Sequence, residues 1–161
     1  LALVLGAVGG VLLWKNWRAF LMVGVSVALS AIVAQLLKHG VFPDMDRPSL
    51  FLDRMPGVRL VAGVEMHHHN SFPSGHTTAA YSMCLAFAVL IAQRVPAMAL
   101  AFLAAGLGLS RVYLSQHFTE DVVAGATIGT LTAYLVYRWL YVSPFASRSW
   151  LERSPFRRQN Q

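Results

Sequence analysis

The 161-residue chain is poor in charge, in acid and in cysteine. Charged residues make up 12% of it, where a soluble domain carries about 25%. Only seven Asp or Glu stand against thirteen Lys or Arg, a formal net charge of +6. Cys84 is the single cysteine. It excludes a disulfide within these residues, and its apolar neighbours make it a small packing residue. No internal repeat and no low-complexity segment stands out. No basic stripe is interleaved with aromatics on one face, which argues against a nucleic-acid partner.

What fills the space is apolar. Hydrophobic residues make up 56% of the chain, and uncharged runs cover 1–14, 19–37, 77–93, 95–110 and 122–137. A helix needs roughly 17–25 residues to cross a bilayer. The run "AFLMVGVSVALSAIVAQLL" has that length, and the later ones reach it if flanking Arg or Tyr side chains snorkel. A soluble bundle would need a charged face, which "VVAGATIGTLTAYLVY" lacks. The run at 1–14 opens on Leu1 and leads into the next run without a cleavage-site pattern, so it is expected to be the cut end of a spanning helix and not a signal peptide. These patterns predict an all-α, polytopic transmembrane bundle. Five spans are expected, with a long extracytoplasmic loop between the second and third. Residues 1–142 form one domain, and 143–161 are expected as a basic cytoplasmic tail.

Lys and Arg are denser in one set of connections: Lys15, Arg18 and Arg94, with Arg138, Arg148, Arg153, Arg157 and Arg158. That set is assigned to the cytoplasm, with Trp14, Trp17, Trp139, Tyr141 and Trp150 as its interfacial belt. The other set, 38–76 and 111–121, then faces outward. It holds all six histidines (39, 67, 68, 69, 76, 117) and every acid except Glu152. Ionisable groups gathered at a membrane edge point to a functional site. The connection 39–73 exceeds the ~15 residues beyond which a loop is usually functional or disordered, and its apolar content argues against disorder.

Three clusters on that side suit a phosphate. In "KHGVFPDMDRP", Lys38 offers a point charge and Arg47 a planar fork, a pairing matched to phosphate oxygens. In "SFPSGHTTAAYS", Ser74 is a natural N-cap and Gly75 permits close backbone approach. The free N–H groups of that helix start make an anion site, with His76 in the same turn. In "SRVYLSQHFTED", Arg111 ends one span, and His117 and Asp121 stand four apart, on one helical face. A carboxylate there holds one imidazole N–H and leaves the other nitrogen nucleophilic. Each cluster alone has a bland alternative: anchoring cations, a simple cap, a surface ion pair. Jointly they make the inventory for phosphoryl transfer through a phosphohistidine.

The motifs carry a resemblance. "PSGH" at Pro73–His76 and "SRVYLSQHFTED", with Ser110, Arg111, His117 and Asp121, resemble two signatures of the type 2 phosphatidic acid phosphatase superfamily, which includes membrane lipid phosphatases and soluble vanadium haloperoxidases. The first signature departs: eight residues, not six, separate Lys38 from Arg47. The resemblance covers roughly residues 19–142. It implies six spans, of which five are present, and no metal or cofactor. It implies His117 as nucleophile, Asp121 as its orienting partner, His76 as general acid, and Lys38, Arg47, Ser74, Gly75 and Arg111 as the phosphate cradle. The implied activity is hydrolysis of a lipid phosphate monoester or pyrophosphate. Candidate substrates are undecaprenyl pyrophosphate, lipid A phosphate, phosphatidylglycerol phosphate and phosphatidic acid. The implied place is a bacterial inner membrane, with the site facing the periplasm or extracellular side. Transfer to a second lipid uses the same residues. A metal-binding membrane protein built on His67–His69 is the alternative of another class, opposed by spans that lack ligands for an ion in transit. His39 and Glu120 receive no role.

Overall fold

The computed structural model describes residues 11, 16–54, 61, 63 and 66–154. Among the described residues four α-helices carry the fold: α1 Trp17–Leu36, α2 Gly75–Ile91, α3 Arg94–Tyr113 and α4 Thr119–Tyr137. No strand occurs among the described residues, as expected for an all-α chain. Helix α1 runs on into a wider, π-type turn at Leu37–Val41, and α4 does the same at Arg138–Val142. Short 3₁₀ turns follow at Pro48–Arg54, Pro144–Ser147 and Ser149–Glu152.

Local chemistry sets the boundaries. The Asn16 side chain accepts the N–H of Ala19 at 2.9 Å and caps α1. Ala92, in the left-handed region at φ 53°, stops α2. Pro96 falls in the first turn of α3, where a missing N–H costs nothing. At the start of α4 the Asp121 carboxylate accepts the N–H of Phe118 at 2.9 Å.

Helix α2 is central and touches α1, α3 and α4. Its closest neighbour is the backbone of α4. A methyl group added to Gly125 would sit 2.6 Å from the Ser74 carbonyl oxygen, and one added to Gly129 would sit 2.3 Å from that of Thr78. Only glycine permits this approach. Ser26, Ser30, Thr77, Thr78, Ser82 and Thr132 are buried. Several of their hydroxyls bond backward to their own helix, as Thr78 does to Ser74 O at 2.9 Å and Thr132 to Ile128 O at 2.7 Å. Large apolar side chains face out instead: Val95 is 78% exposed and Phe102 is 74% exposed. Small and hydroxyl residues inside with apolar residues outside is the packing of helices in lipid, where close backbone contact replaces the hydrophobic effect.

Among the described residues two helices, Trp17–Val41 and Arg94–Tyr113, are long and apolar enough to cross a membrane, and Gly75–Ile91 is apolar but shorter. The span expected over 1–14 lies, Val11 apart, outside the described residues. At the end of the bundle away from α2's start, the segment after Val142 folds back on the start of α1. Leu151 is fully buried with Met22, Ala86, Val136 and Leu140. Arg18 donates to Leu140 O at 2.5 Å and Ala146 O at 2.7 Å, lies over the Tyr141 ring, and pairs with Glu152. The segment up to Arg153 therefore packs against the start of α1.

Gly129→Ala should lower stability by roughly 1–3 kcal/mol through overpacking against α2. Gly106→Ala, with nothing within 4 Å of the added methyl, should stay within about 1 kcal/mol of wild type. Thermal unfolding of both variants in one detergent compares them.

Candidate active site

The ends of α1 and α3, the start of α2 and the loop before α4 line a cavity of ≈ 510 Å³ at one end of the bundle. Lys38, Arg47, Gly75, His76, Arg111 and His117 all line it. Six of the eight residues expected from the sequence thus share one wall. Ser74 and Asp121 stand outside the lining, and both are buried.

His117 is 3% exposed. Its Nδ1 lies 3.3 Å from Asp121 Oδ2. It precedes α4 by two residues, so the pair does not share a helical face as the i,i+4 spacing predicts. The loop brings the imidazole back over the first turn of α4. That loop closes on a single acceptor: the Arg111 carbonyl takes the N–H of Gln116 at 3.0 Å and of His117 at 3.2 Å, and Ser115 turns through φ 53°. Burial holds the His117 pKa below the usual histidine range. The Asp121 hydrogen bond opposes this, and the Arg47 charge adds to it. The imidazole is therefore neutral at pH 7. With a carboxylate at Nδ1 the proton is assigned there, which leaves the Nε2 lone pair free.

The cations take different parts. Arg47 is buried and largely committed: Nε donates to His69 O at 2.8 Å, Nη1 to Gln116 O at 3.0 Å and Oε1 at 3.4 Å, and Nη2 to Asn70 O at 3.2 Å. Of its five N–H groups, one on Nη2 remains. Arg47 brings charge to the cavity while riveting the 69–70 segment to the loop before His117. Arg111 is the contrary case, with a buried Nε that has no partner among the described residues, a donor suited to an anion. The two extra residues between Lys38 and Arg47 do not separate them. The π-type turn Leu37–Val41 and a left-handed Asp44 (φ 59°) take up the length, and both side chains reach the cavity.

Ser74 occupies the N-cap position of α2, but its hydroxyl caps no backbone N–H. It pairs with Thr77 Oγ1 at 3.0 Å instead, while its N–H donates to Asp121 O at 3.0 Å. The N–H groups of Gly75, His76 and Thr77 have no intrahelical partner by position, and the helix dipole adds to their attraction for an anion. The three consecutive histidines diverge. His67 lines the cavity, His68 Nδ1 lies 3.3 Å from Ser49 Oγ, and His69 Nδ1 lies 3.3 Å from Asp46. Among the described residues no three His, Cys, Asp or Glu side chains converge as metal ligands would. His39 lies in the π-type turn and is exposed, as is Glu120.

Two contributors carry no signal in the sequence. Ser71 bonds Asp121 Oδ2, and Gln116 accepts from Arg47 through both its backbone and its side chain. Neither stands at a helical spacing from its partner, so only loop geometry reveals them.

A family model described as PAP2 superfamily matches residues 19–144. The lipid A 1-phosphatase of Rhizobium johnstonii is 33% identical over 132 residues, covering 78% of this chain and 51% of that protein. Lipid phosphate phosphatase 1 of Arabidopsis thaliana is 35% identical over 95 residues, 51% of this chain and 29% of that protein. The chain spans about half, or less, of the length of these relatives. The crystal structure of Aquifex aeolicus LpxE superposes with a TM-score of 0.62 at 24% identity, over 74% of this chain and 67% of that one, a likeness of fold.

Inorganic phosphate should bind the cavity. Arg111→Ala should weaken it by about 1.5–3 kcal/mol, the range for a hydrogen bond to a charged group. Isothermal titration at pH 7 reads the difference, with Arg94→Ala at the far end of α3 as the unaffected control.

Proposed function

Since the chain belongs to the PAP2 superfamily, we propose that it is an integral membrane lipid phosphatase working through a phosphohistidine. The observation that carries this is the meeting of a buried, neutral, carboxylate-held imidazole with Lys38, Arg47, Arg111 and His76 in one cavity. His117 Nε2 attacks phosphorus, and the bond from phosphorus to the leaving oxygen breaks. Burial, and after it the cavity's cations, lower the His76 pKa; the charge of a bound phosphate favours the protonated form, which gives its proton to that oxygen. Asp121 holds Nδ1–H and offsets the positive charge that develops on the ring. Lys38, Arg111, the remaining Arg47 donor and the first-turn N–H groups of α2 stabilise the equatorial oxygens. Water then attacks the phosphohistidine, with His76 taking its proton, and releases phosphate.

The same cavity is lined on its inner side by Ala31, Ala34 and Ala79, an apolar wall beside the cationic one. A lipid headgroup would meet the charges while its chains stay among the outward-facing side chains of the bundle. We assign the chain to a bacterial inner membrane, with the site on the periplasmic or extracellular side. Among the candidate substrates, a lipid A phosphate is favoured, because relatives matched over most of the chain carry that name.

The test is a panel of lipid phosphates and pyrophosphates with phosphate release as readout. His117→Ala should lower turnover by roughly 10³-fold or more on every substrate, the scale of losing a nucleophile. Normal release by that variant overturns the mechanism. The pH profile follows from the His117 shift. Its pKa is lowered, so the neutral, attacking form persists below pH 6.5, and the acid limb of kcat/KM should lie on the acid side of an ordinary histidine. An acid limb at or above pH 7 contradicts a neutral His117 nucleophile.

A further inference from the structure

Asp121 Oδ2 is the most heavily used acceptor in the site. It takes the N–H of Phe118 at 2.9 Å, faces His117 Nδ1 at 3.3 Å, and receives the hydroxyl of Ser71. Ser71 is 1% exposed, as is Asp121, so both groups are shielded from bulk solvent. The same Ser71 Oγ lies 3.5 Å from His117 Nδ1. A hydroxyl has one proton and two lone pairs. With the proton given to the carboxylate, the face Ser71 turns to Nδ1 is an acceptor. Both groups near Nδ1 then accept, and the imidazole must carry its proton there.

The position of Ser71 is not incidental. Its own N–H donates to Met45 O at 2.9 Å. The residues before it are fastened through Arg47, whose N–H donates to His68 O at 2.9 Å and whose guanidinium bonds the carbonyls of His69 and Asn70. The long loop is thus tied down at the point where it presents one hydroxyl to the carboxylate.

We propose that Ser71 is a positioning residue of the active site, the third member of a Ser71–Asp121–His117 chain that fixes the carboxylate and locks His117 in its Nδ1–H tautomer. This rests on the phosphohistidine reading above and extends it to a residue outside the family signatures. Lys38, Arg47, His76 and Arg111 also face the cavity beside His117. The three cations carry no acceptor that would replace the Ser71 lone pair. His76, whose pKa burial and those cations lower, has one when neutral, but the groups placed at His117 Nδ1 are Ser71 and Asp121.

The test compares Ser71→Ala, Ser71→Thr and wild type in the full chain. In Ser71→Ala, kcat for a lipid phosphate should fall by roughly tenfold to a hundredfold, the scale of misplacing a reacting group, with KM little changed. Ser71→Thr, which keeps the hydroxyl, should recover most of the loss. Nitrogen NMR of labelled histidine, with the His117 signals identified by their absence from His117→Ala, should show a single Nδ1–H tautomer in wild type and a mixture in Ser71→Ala. This readout needs no turnover, so it tests Ser71 even if phosphate release fails and the phosphatase reading falls. Wild-type kcat in Ser71→Ala overturns the proposal. So does a loss of activity matched by a loss of folded protein while the tautomer stays single, since that is a structural role only.

Discussion

The buried carboxylate of Asp121 is the constraint on which the site depends. Its side chain joins the loop through Ser71, the α4 start through Phe118, and the cavity-lining imidazole of His117. Its backbone carbonyl accepts the N–H of Ser74 at the start of α2. One residue therefore ties together both helix starts and the long loop. A carboxylate so buried is tolerable only because three donors converge on one of its oxygens. Those donors also set its orientation, and with it the tautomer of the histidine that faces the cavity.

The glycines of α4 serve the same junction from below. Gly125 faces the Ser74 carbonyl and Gly129 that of Thr78, so the two helices run nearly backbone to backbone. This seam has little room for large side chains, and Thr77, Thr78 and Ser82 of α2 are buried along it. Hydroxyl bonds of Ser30, Thr78 and Thr132 to carbonyls one turn back satisfy polar groups that lipid could not solvate. The rigidity this gives matters for chemistry, because a neutral imidazole and an anion must be held at bonding distance among cations that would otherwise drift with their long side chains. At the far end Arg18, Leu151 and Glu152 close the bundle with the segment after α4, so the helices cannot splay from that side.

Electrostatically the cavity is divided. Arg47 lends charge but has most of its donors fixed in the scaffold, whereas Arg111 keeps a buried donor open. That distinction follows from place. Arg47 lies in a loop whose carbonyls must be satisfied, and it satisfies them. Arg111 ends a helix and has no such duty. Two arginines that look equivalent in a motif thus differ in what they offer an anion.

The sequence by itself determined much. Uncharged runs gave the helices, since only a helix satisfies its own backbone in an apolar surrounding. "PSGH" and "SRVYLSQHFTED" named His76, Arg111, His117 and Asp121, because short spacings on either side of a helix start constrain where side chains lie. The pattern was less informative about contacts across the long loop. It placed His117 on a helical face shared with Asp121, while the structure places it in the turn before α4. It gave Ser74 a capping bond that the hydroxyl spends on Thr77 instead. It had no means to find Ser71, fifty residues from its partner, or the commitment of Arg47. Tertiary structure alone decided these, because a hydrogen bond between distant segments depends on how the loop folds over the helix ends, and no local periodicity records that path.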